Sequence, residues 1–450
     1  MTRKNAEIGL GLFAVLMVLT VSTILTSSTY AQQGLYLLWT IPTEIDDVAV
    51  SADGRYIAAI SGDTLMYYQV GSSDPLWTAS NPDIGYFSDV AISADGECVV
   101  VGNDAGCIRY FKDATSRSGS SEQPTWRSQH LGGSVTLDIS DNGEYVAFIA
   151  GGSSVYYFTG CKSKSGLDIP PDLTVSTPAA ELGHLDMTPD GRYIAVGGYI
   201  LYEEEGDRIV EEPGESGYVA YIDISESSET PTWSDEFSLE MIDIAISDDG
   251  YGVVAAFEEY RAPGEVAYWA DAYDLSGSVG PTWTGGEDDF TCVAVSGDGN
   301  LVAAGAYSMP KSLHVWSEAR ALSGSGLEPD WSKPLQVLDV AVSRDGSVIA
   351  VSTEEADGYY LRIFNSDGAE LDFYRLDSPG NVVSMSSDGS VIAVGGGAYD
   401  SLYVFKYIPP RPVGGPVLPT VLATPVFKLA LAAVLALAVA VAYMVLRRGA

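Results

Sequence analysis

Val340-Ala-Val-Ser-Arg-Asp-Gly-Ser-Val-Ile-Ala-Val351 reads as two short strands joined by a tight turn. Val340 and Val342 alternate with small residues, which suits a half-buried strand. Asp345 can hydrogen-bond the backbone two residues on, and Gly346 takes the positive φ that the turn requires. Val348 to Val351 form a continuous apolar run, as in a strand buried on both faces. A lone hairpin of this kind is marginal in water.

The same pattern occurs eight times in all. The other corners are Ser51-Ala-Asp53-Gly54, Ser93-Ala-Asp95-Gly96, Ser140-Asp-Asn-Gly143, Thr188-Pro-Asp190-Gly191, Ser247-Asp-Asp249-Gly250, Ser296-Gly-Asp298-Gly299 and Ser386-Ser-Asp388-Gly389. Successive glycines lie 42, 47, 48, 59, 49, 47 and 43 residues apart. A period near 45 is the length of a four-stranded propeller blade. After strands a and b comes an aromatic strand c, such as Leu65-Met-Tyr-Tyr68, Ile108-Arg-Tyr-Phe111 or Leu402-Tyr-Val-Phe405. A short strand d follows, often marked by tryptophan: Trp77, Trp126, Trp233, Trp283 and Trp331. The last copy stops after strand c, and Leu35-Tyr-Leu-Leu-Trp39 precedes the first as an orphan strand d. The expected fold is therefore all-β: an eight-bladed propeller of four-stranded blades closed by an N-terminal strand. Closure removes exposed sheet edges.

The Ser-x-Asp-Gly hairpins resemble those of WD-repeat and YVTN-type propellers, and the strand-d tryptophans resemble those of pyrroloquinoline-quinone-like propellers. The resemblance covers roughly Leu35 to Tyr407, although the Gly-His and Trp-Asp dipeptides of the WD-repeat family are missing. The quinone-dependent relatives imply an alternative, an oxidoreductase. Their adjacent-cysteine disulfide has no counterpart here, because Cys98, Cys107, Cys161 and Cys292 stand far apart. Pairing among these four stays open.

The ends suggest a location. Basic Arg3 and Lys4 precede an apolar run from Ile8 to Leu25, and Thr29-Tyr-Ala31 is placed as a cleavage site would be. Residues 1–31 are expected to be a signal peptide, or else a membrane anchor. Leu429 to Leu446 is apolar and ends in Arg447-Arg448, which predicts a C-terminal transmembrane helix over 426–446 with residues 447–450 in the cytoplasm. The propeller, 32–407, then lies outside the cell, held by a Pro/Gly-rich linker, 408–425. The chain carries 61 acidic against 23 basic residues, a net charge of −38, so a phosphate backbone would be repelled and no nucleic acid partner is expected.

Each Asp-Gly corner offers one or two carboxylates, too few for a calcium loop, so the corners read as structural turns. His130, His184 and His314 fall in different blades without metal-ligand spacing, and no nucleophile elbow or phosphate loop occurs. No metal, cofactor or catalytic group is expected. Strand order puts the a–b turns and c–d loops on one face and the b–c and d–a loops on the other. The b–c loops of blades 4 and 5 carry acidic insertions: Glu203, Glu204, Glu205, Asp207, Glu211 and Glu212, then Glu258 and Glu259. They are the candidate binding residues for a cation or a basic partner. The Ser/Gly-rich c–d segments, Ser116–Ser121, Leu275–Ser278 and Leu322–Gly326, read as flexible connectors. The expected function is a membrane-tethered scaffold that binds a protein or another envelope component.

Overall fold

The corner at Ser343 shows why the motif has this composition. Ser343 Oγ accepts the Val348 N–H at 3.0 Å and donates to Asp345 Oδ1 at 2.8 Å. The same carboxylate oxygen accepts the Ser347 N–H at 3.0 Å. Gly346 turns the chain at φ 69°, where an L side chain is disfavoured, and its N–H returns to the Ser343 carbonyl at 2.8 Å. The other seven corners repeat the bond from position one to position three, with Thr188 for serine and Asn142 for aspartate. Local side-chain bonds thus settle each hairpin before any blade is packed.

The computed structural model describes residues 33–80, 85–201, 215–258, 263–307, 311–396 and 401–409. The expected terminal segments 1–31 and 426–446 and nearly all of the 408–425 linker lie outside these residues. Among the described residues no helix is long and apolar enough to cross a membrane. Gly34–Tyr407 forms one compact unit.

That unit is eight antiparallel sheets in chain order, each running a-b-c-d. Blade 1 is Asp47–Val50, Tyr56–Ser61, Thr64–Gln69 and Trp77–Ser80. Blade 8 consists of Val382–Met385, Val391–Gly395 and Leu402–Ile408, completed by Gly34–Ile41 as its outermost strand. The orphan strand therefore shuts the ring, as the interrupted last copy predicts. The strand b residues are almost wholly buried, and eight apolar clusters fill the gaps between neighbouring blades.

Blades are tied by two bonds that the repeat pattern repeats. The strand c tyrosine reaches the corner glycine carbonyl of the next blade: Tyr67 to Gly96 at 2.8 Å, Tyr110 to Gly143 at 2.7 Å, Tyr221 to Gly250 at 3.0 Å, Tyr268 to Gly299 at 2.8 Å. The strand d indole reaches a carbonyl in the c–d segment of the next blade: Trp77 to Ala114 and Trp283 to Ala319 at 2.8 Å, Trp126 to Cys161 at 2.9 Å. Each accepting carbonyl opens a 3-10 turn entered through a left-handed residue, Asp113, Glu318 or Gly160. Where blade 3 lacks its tryptophan, Leu173 stands opposite Tyr157. The facing turn in blade 4, Ile224–Glu226, is then entered through extended backbone at Asp223, φ −91°. No indole asks for that carbonyl, and the left-handed entry is gone.

The c–d segments are not free connectors. Gly166–Ile169 of blade 3 lies parallel on strand d of blade 2, Gly277–Ser278 of blade 5 on that of blade 4, and Gly324–Leu327 of blade 6 on that of blade 5. Gly119 of blade 2 makes a single bridge to Trp77 of blade 1. In every case a glycine stands opposite the tryptophan. Each of the four takes a positive φ (Gly119 99°, Gly166 104°, Gly277 79°, Gly324 113°), a conformation that L side chains rarely adopt. All four cysteines are buried.

Candidate functional site

The second residue of each corner points to the ring axis, and these residues close the mouth on the a–b face. Ala94 N–H donates to the Asp141 carbonyl at 3.0 Å and Asp141 N–H to the Pro189 carbonyl at 2.8 Å. Asp248, Gly297, Arg344 and Ser387 continue the chain of bonds at 2.9–3.1 Å back to Ala52, and Asp53 N–H meets the Ala94 carbonyl at 3.1 Å. At this corner Pro189 donates nothing to blade 5, because proline has no N–H. Arg344 then spans the opening. Its Nη2 lies 3.1 Å from Asp141 Oδ2, and its Nε bonds Asp248. A cavity of about 260 Å³ lies beneath this closure, lined by residues of all eight blades.

Inside the ring, strand a carries Asp47, Asp89, Asp138, Asp186, Asp243 and Asp339. Each sends one oxygen to a backbone N–H of the next blade: Val90 at 2.9 Å, Leu137 at 2.7 Å, Met187 at 3.2 Å, Ile246 at 2.8 Å, Val293 at 2.9 Å and Val383 at 2.6 Å. Blade 8 uses Ser384 Oγ on Val50 N–H at 3.0 Å, and blade 6 has Cys292 instead. Burial in the narrow channel raises the Asp186 and Asp339 carboxyls to about 7 against the pull of their N–H bonds. Burial also raises Asp89 and Asp138, with the charges of Asp47 and Asp186 adding to it. In Asp47, Asp138, Asp186, Asp243 and Asp339 the second oxygen accepts the N–H of the next residue in its own strand, so the ring works as inter-blade staples. Sequence reasoning passed over it, although Asp-Val/Ile-Ala stands seven residues before the corner glycine in blades 1, 2, 5 and 7.

In sequence the b–c loops of blades 4 and 5 carry the candidate binding residues. Glu203, Glu204, Glu205, Asp207, Glu211, Glu212 and Glu259 lie outside the described residues. Glu258 is described, at the end of strand b in blade 5 and directly opposite Glu240 in strand a. It is half-buried, and its carboxyl is raised by burial, then by the charges of Glu240 and Asp289. In the adjoining d–a loop, Asp288 accepts from both Ser312 Oγ and His314 Nε2, the latter at 2.8 Å. Burial lowers the His314 pKa despite that carboxylate, so the ring is neutral near pH 7 with its proton on Nε2. A cavity of about 330 Å³ adjoins the group, lined also by Lys311, Lys333 and Glu328. The order is wrong for hydrolysis: histidine does not bridge serine to aspartate, and its other nitrogen, Nδ1, is buried without a hydrogen-bond partner. Asp288 instead ties the loop to strand c. Among the described residues no His, Cys, Asp and Glu group of three or more could hold a metal ion.

This stretch is also where the chain matches a known family. Residues 277–317 match the model described as WD domain, G-beta repeat. The match runs from the c–d segment of blade 5 through strands a, b and c of blade 6. No curated protein matches the chain in sequence. Among solved structures, the C-terminal WD40 domain of Sif2 is 12% identical, with a TM-score of 0.59, covering 84% of this chain and 99% of its own. The Dos1 propeller is also 12% identical, with a TM-score of 0.61, covering 84% of this chain and 96% of its own. At these identities the likeness is one of fold, a WD40-like propeller ring.

Proposed function

We propose that this chain is a non-enzymatic interaction scaffold, displayed outside the cell on a C-terminal membrane tether. It binds a protein or envelope component bearing basic groups through the b–c rim of blades 4 and 5. One observation carries the reading: Glu258 faces Glu240 across a strand pair, half-buried and near Asp289. Like charges placed opposite each other destabilise a sheet, and a cationic partner would relieve that repulsion. The acidic insertions at 203–212 and 258–259 belong in sequence to the same b–c connections. The alternative orientation, with the a–b face as the binding face, is disfavoured by its closed mouth and bonded backbone.

The test is affinity capture from the native cell envelope with the intact protein and its Glu240→Lys/Glu258→Lys variant. The expected result is partner loss in the variant with an unchanged circular dichroism spectrum. Retention of every partner would remove the acidic rim from the account. Protease protection of the propeller in sealed cells would remove the outward topology.

A further inference from the structure

The strand a aspartates staple the inner seams, but between blades 3 and 4 the staple is contested. Asp186 Oδ1 accepts the Met187 N–H of its own strand at 2.9 Å, and Asp138 Oδ2 of blade 3 reaches the same N–H at 3.2 Å. At the neighbouring seams the incoming carboxylate meets a donor of its own: Asp89 takes Leu137 N–H, Asp186 takes Ile246 N–H and Asp243 takes Val293 N–H. One N–H cannot neutralise two carboxylates, and groups that converge on one donor stand too close for both to ionise freely. Burial raises both carboxyls, and at Asp138 the Asp186 charge adds to it. The other charges facing the pair are acidic too: Asp141 at the corner of blade 3, and Asp243 and Asp248 of blade 5. The nearby cations are engaged elsewhere. Arg344 holds Asp141 and Asp248, and His184 Nδ1 lies 3.6 Å from Asp243. Asp138 lines the cavity beneath the mouth and Asp186 a second one of about 430 Å³, so a proton leaving the pair has a path to solvent.

A second pair supplies the comparison. Asp47 Oδ2 accepts Val90 N–H at 2.9 Å, and Asp89 bonds both that N–H and the Asp47 carboxyl. That seam, between blades 1 and 2, is latched from outside by the Trp77 indole on the Ala114 carbonyl and by the Gly119 bridge. The seam between blades 3 and 4 has neither. Leu173 stands in place of the tryptophan, and among the described residues blade 4 lays no parallel segment on Leu173–Ser176. Outside the channel this seam keeps Tyr157 on the Gly191 carbonyl at 2.5 Å and Ser176 N–H on the Glu229 carbonyl at 2.9 Å. The contested staple and the missing latch thus fall on one seam.

We propose that Asp138 and Asp186 share one proton, and that its release to solvent opens the ring at the seam between blades 3 and 4. With the proton held, a single negative charge meets the Met187 N–H. Without it two anions compete for one donor, and the longer bond, from Asp138, lets go. The pair stabilises the seam fully in acid, and that stabilisation is lost as pH rises through the pair's upper titration step. Val383 N–H responds the other way. Asp339 Oδ2 is its acceptor at 2.6 Å with no second carboxylate on the same donor, so ionisation of Asp339 strengthens that bond. The device stands whether or not the acidic rim of blades 4 and 5 binds anything.

The test is amide hydrogen exchange of the intact protein at single-residue resolution, corrected for the intrinsic base-catalysed rate. Between about pH 6 and about pH 9 the protection of Met187 should fall about tenfold or more relative to Val383, the effect of one pKa unit. Val90, at the latched seam, should keep pace with Val383. Asp138→Asn sets an amide donor beside Asp186 and should hold Met187 protection level over the same range, while His184→Gln should leave the fall in place. Carboxyl carbon NMR of the unaltered protein gives a reading that needs no variant: Asp138 and Asp186 should retain one proton between them at about pH 7. Parallel behaviour of Met187 and Val383, a fall that survives Asp138→Asn, or two ionised carboxyls at neutral pH overturns the proposal. So does a fall at Val90 as large as that at Met187. Loss of the fall in His184→Gln would hand the switch to the His184–Asp243 pair, and the assignment to Asp138 and Asp186 would fail.

Discussion

Arg344 and Asp141 lie 203 residues apart in sequence and 3.1 Å apart across the mouth of the ring. One belongs to blade 7 and the other to blade 3, on opposite sides of an eight-membered circle. Asp248 of blade 5 completes the group from the flank, its carboxyl raised by burial and held back by the Arg344 charge. The Arg344 guanidinium is 42% exposed, so solvent screens both pairs. Arg344→Ala should lower stability by about 1 kcal/mol in low salt. Denaturant midpoints measured at 0.05 M and 1 M NaCl should show the difference shrinking with salt.

The indole latches are unequal. Trp126→Phe keeps the stack on Tyr110, 5.2 Å between centroids, but removes one of two donors to the buried Cys161 carbonyl, which keeps the Lys164 N–H at 3.2 Å. A loss of about 1 kcal/mol is expected. Trp331→Phe strands a half-buried carbonyl at Ser366, which water can reach, and should lose less. Equal losses would mean that stacking, and not the hydrogen bond, sets the contribution.

The carboxylates predict an acid-side stability optimum. Asp186 and Asp339 titrate near 7 in the folded chain and near 4 when unfolded, so the folded state holds their protons more tightly. Their stabilisation is complete below about pH 4 and is lost as pH rises through about 7. The corner aspartates Asp298, Asp345 and Asp388 go the other way. Their bonds to serine, asparagine and backbone groups outweigh burial and lower their pKa, so their stabilisation is lost only as pH falls below 4. Thermal unfolding should give a higher Tm near pH 5 than at pH 8, with Asp339→Asn flattening the slope.

His314→Ala leaves the Asp288 carboxylate, 7% exposed, with the Ser312 hydroxyl as its remaining partner. A loss of about 3 kcal/mol is expected, while Asp288→Leu/His314→Leu together should be less damaging than either single change. Chemical denaturation of the four proteins closes this cycle.

All four thiols are buried, and burial raises the pKa of Cys98, Cys161 and Cys292. A disulfide-exchange reagent should find no fast-reacting thiol in the folded protein and four on unfolding. One fast thiol in the native state would locate an opened blade.

Much of this architecture was legible because its determinants are local. Ser343, Asp345 and Gly346 bond within five residues, so their spacing encodes the hairpin in each copy. The count of corners and the stray Leu35–Trp39 strand were enough for eight blades and their closure. Proximity in sequence misled at the Ser-Gly segments. Small polar residues usually mean a flexible loop, but here Gly166, Gly277 and Gly324 face buried tryptophans of the preceding blade. The signal was present: each of these glycines, like Gly119, falls eight residues after the strand c aromatic, Phe158, Trp269, Trp316 or Phe111.

The sequence by itself determined the hairpin, the repeat and the ring, because a period of about 45 residues with matching turn chemistry admits one way to bury its strands. Only the tertiary structure decided what meets at the axis. Arg344 and Asp141 occupy the same variable corner position in their own blades, and nothing local links them. Blade number and closure set which corners face each other, so charge complementarity there is a property of the ring.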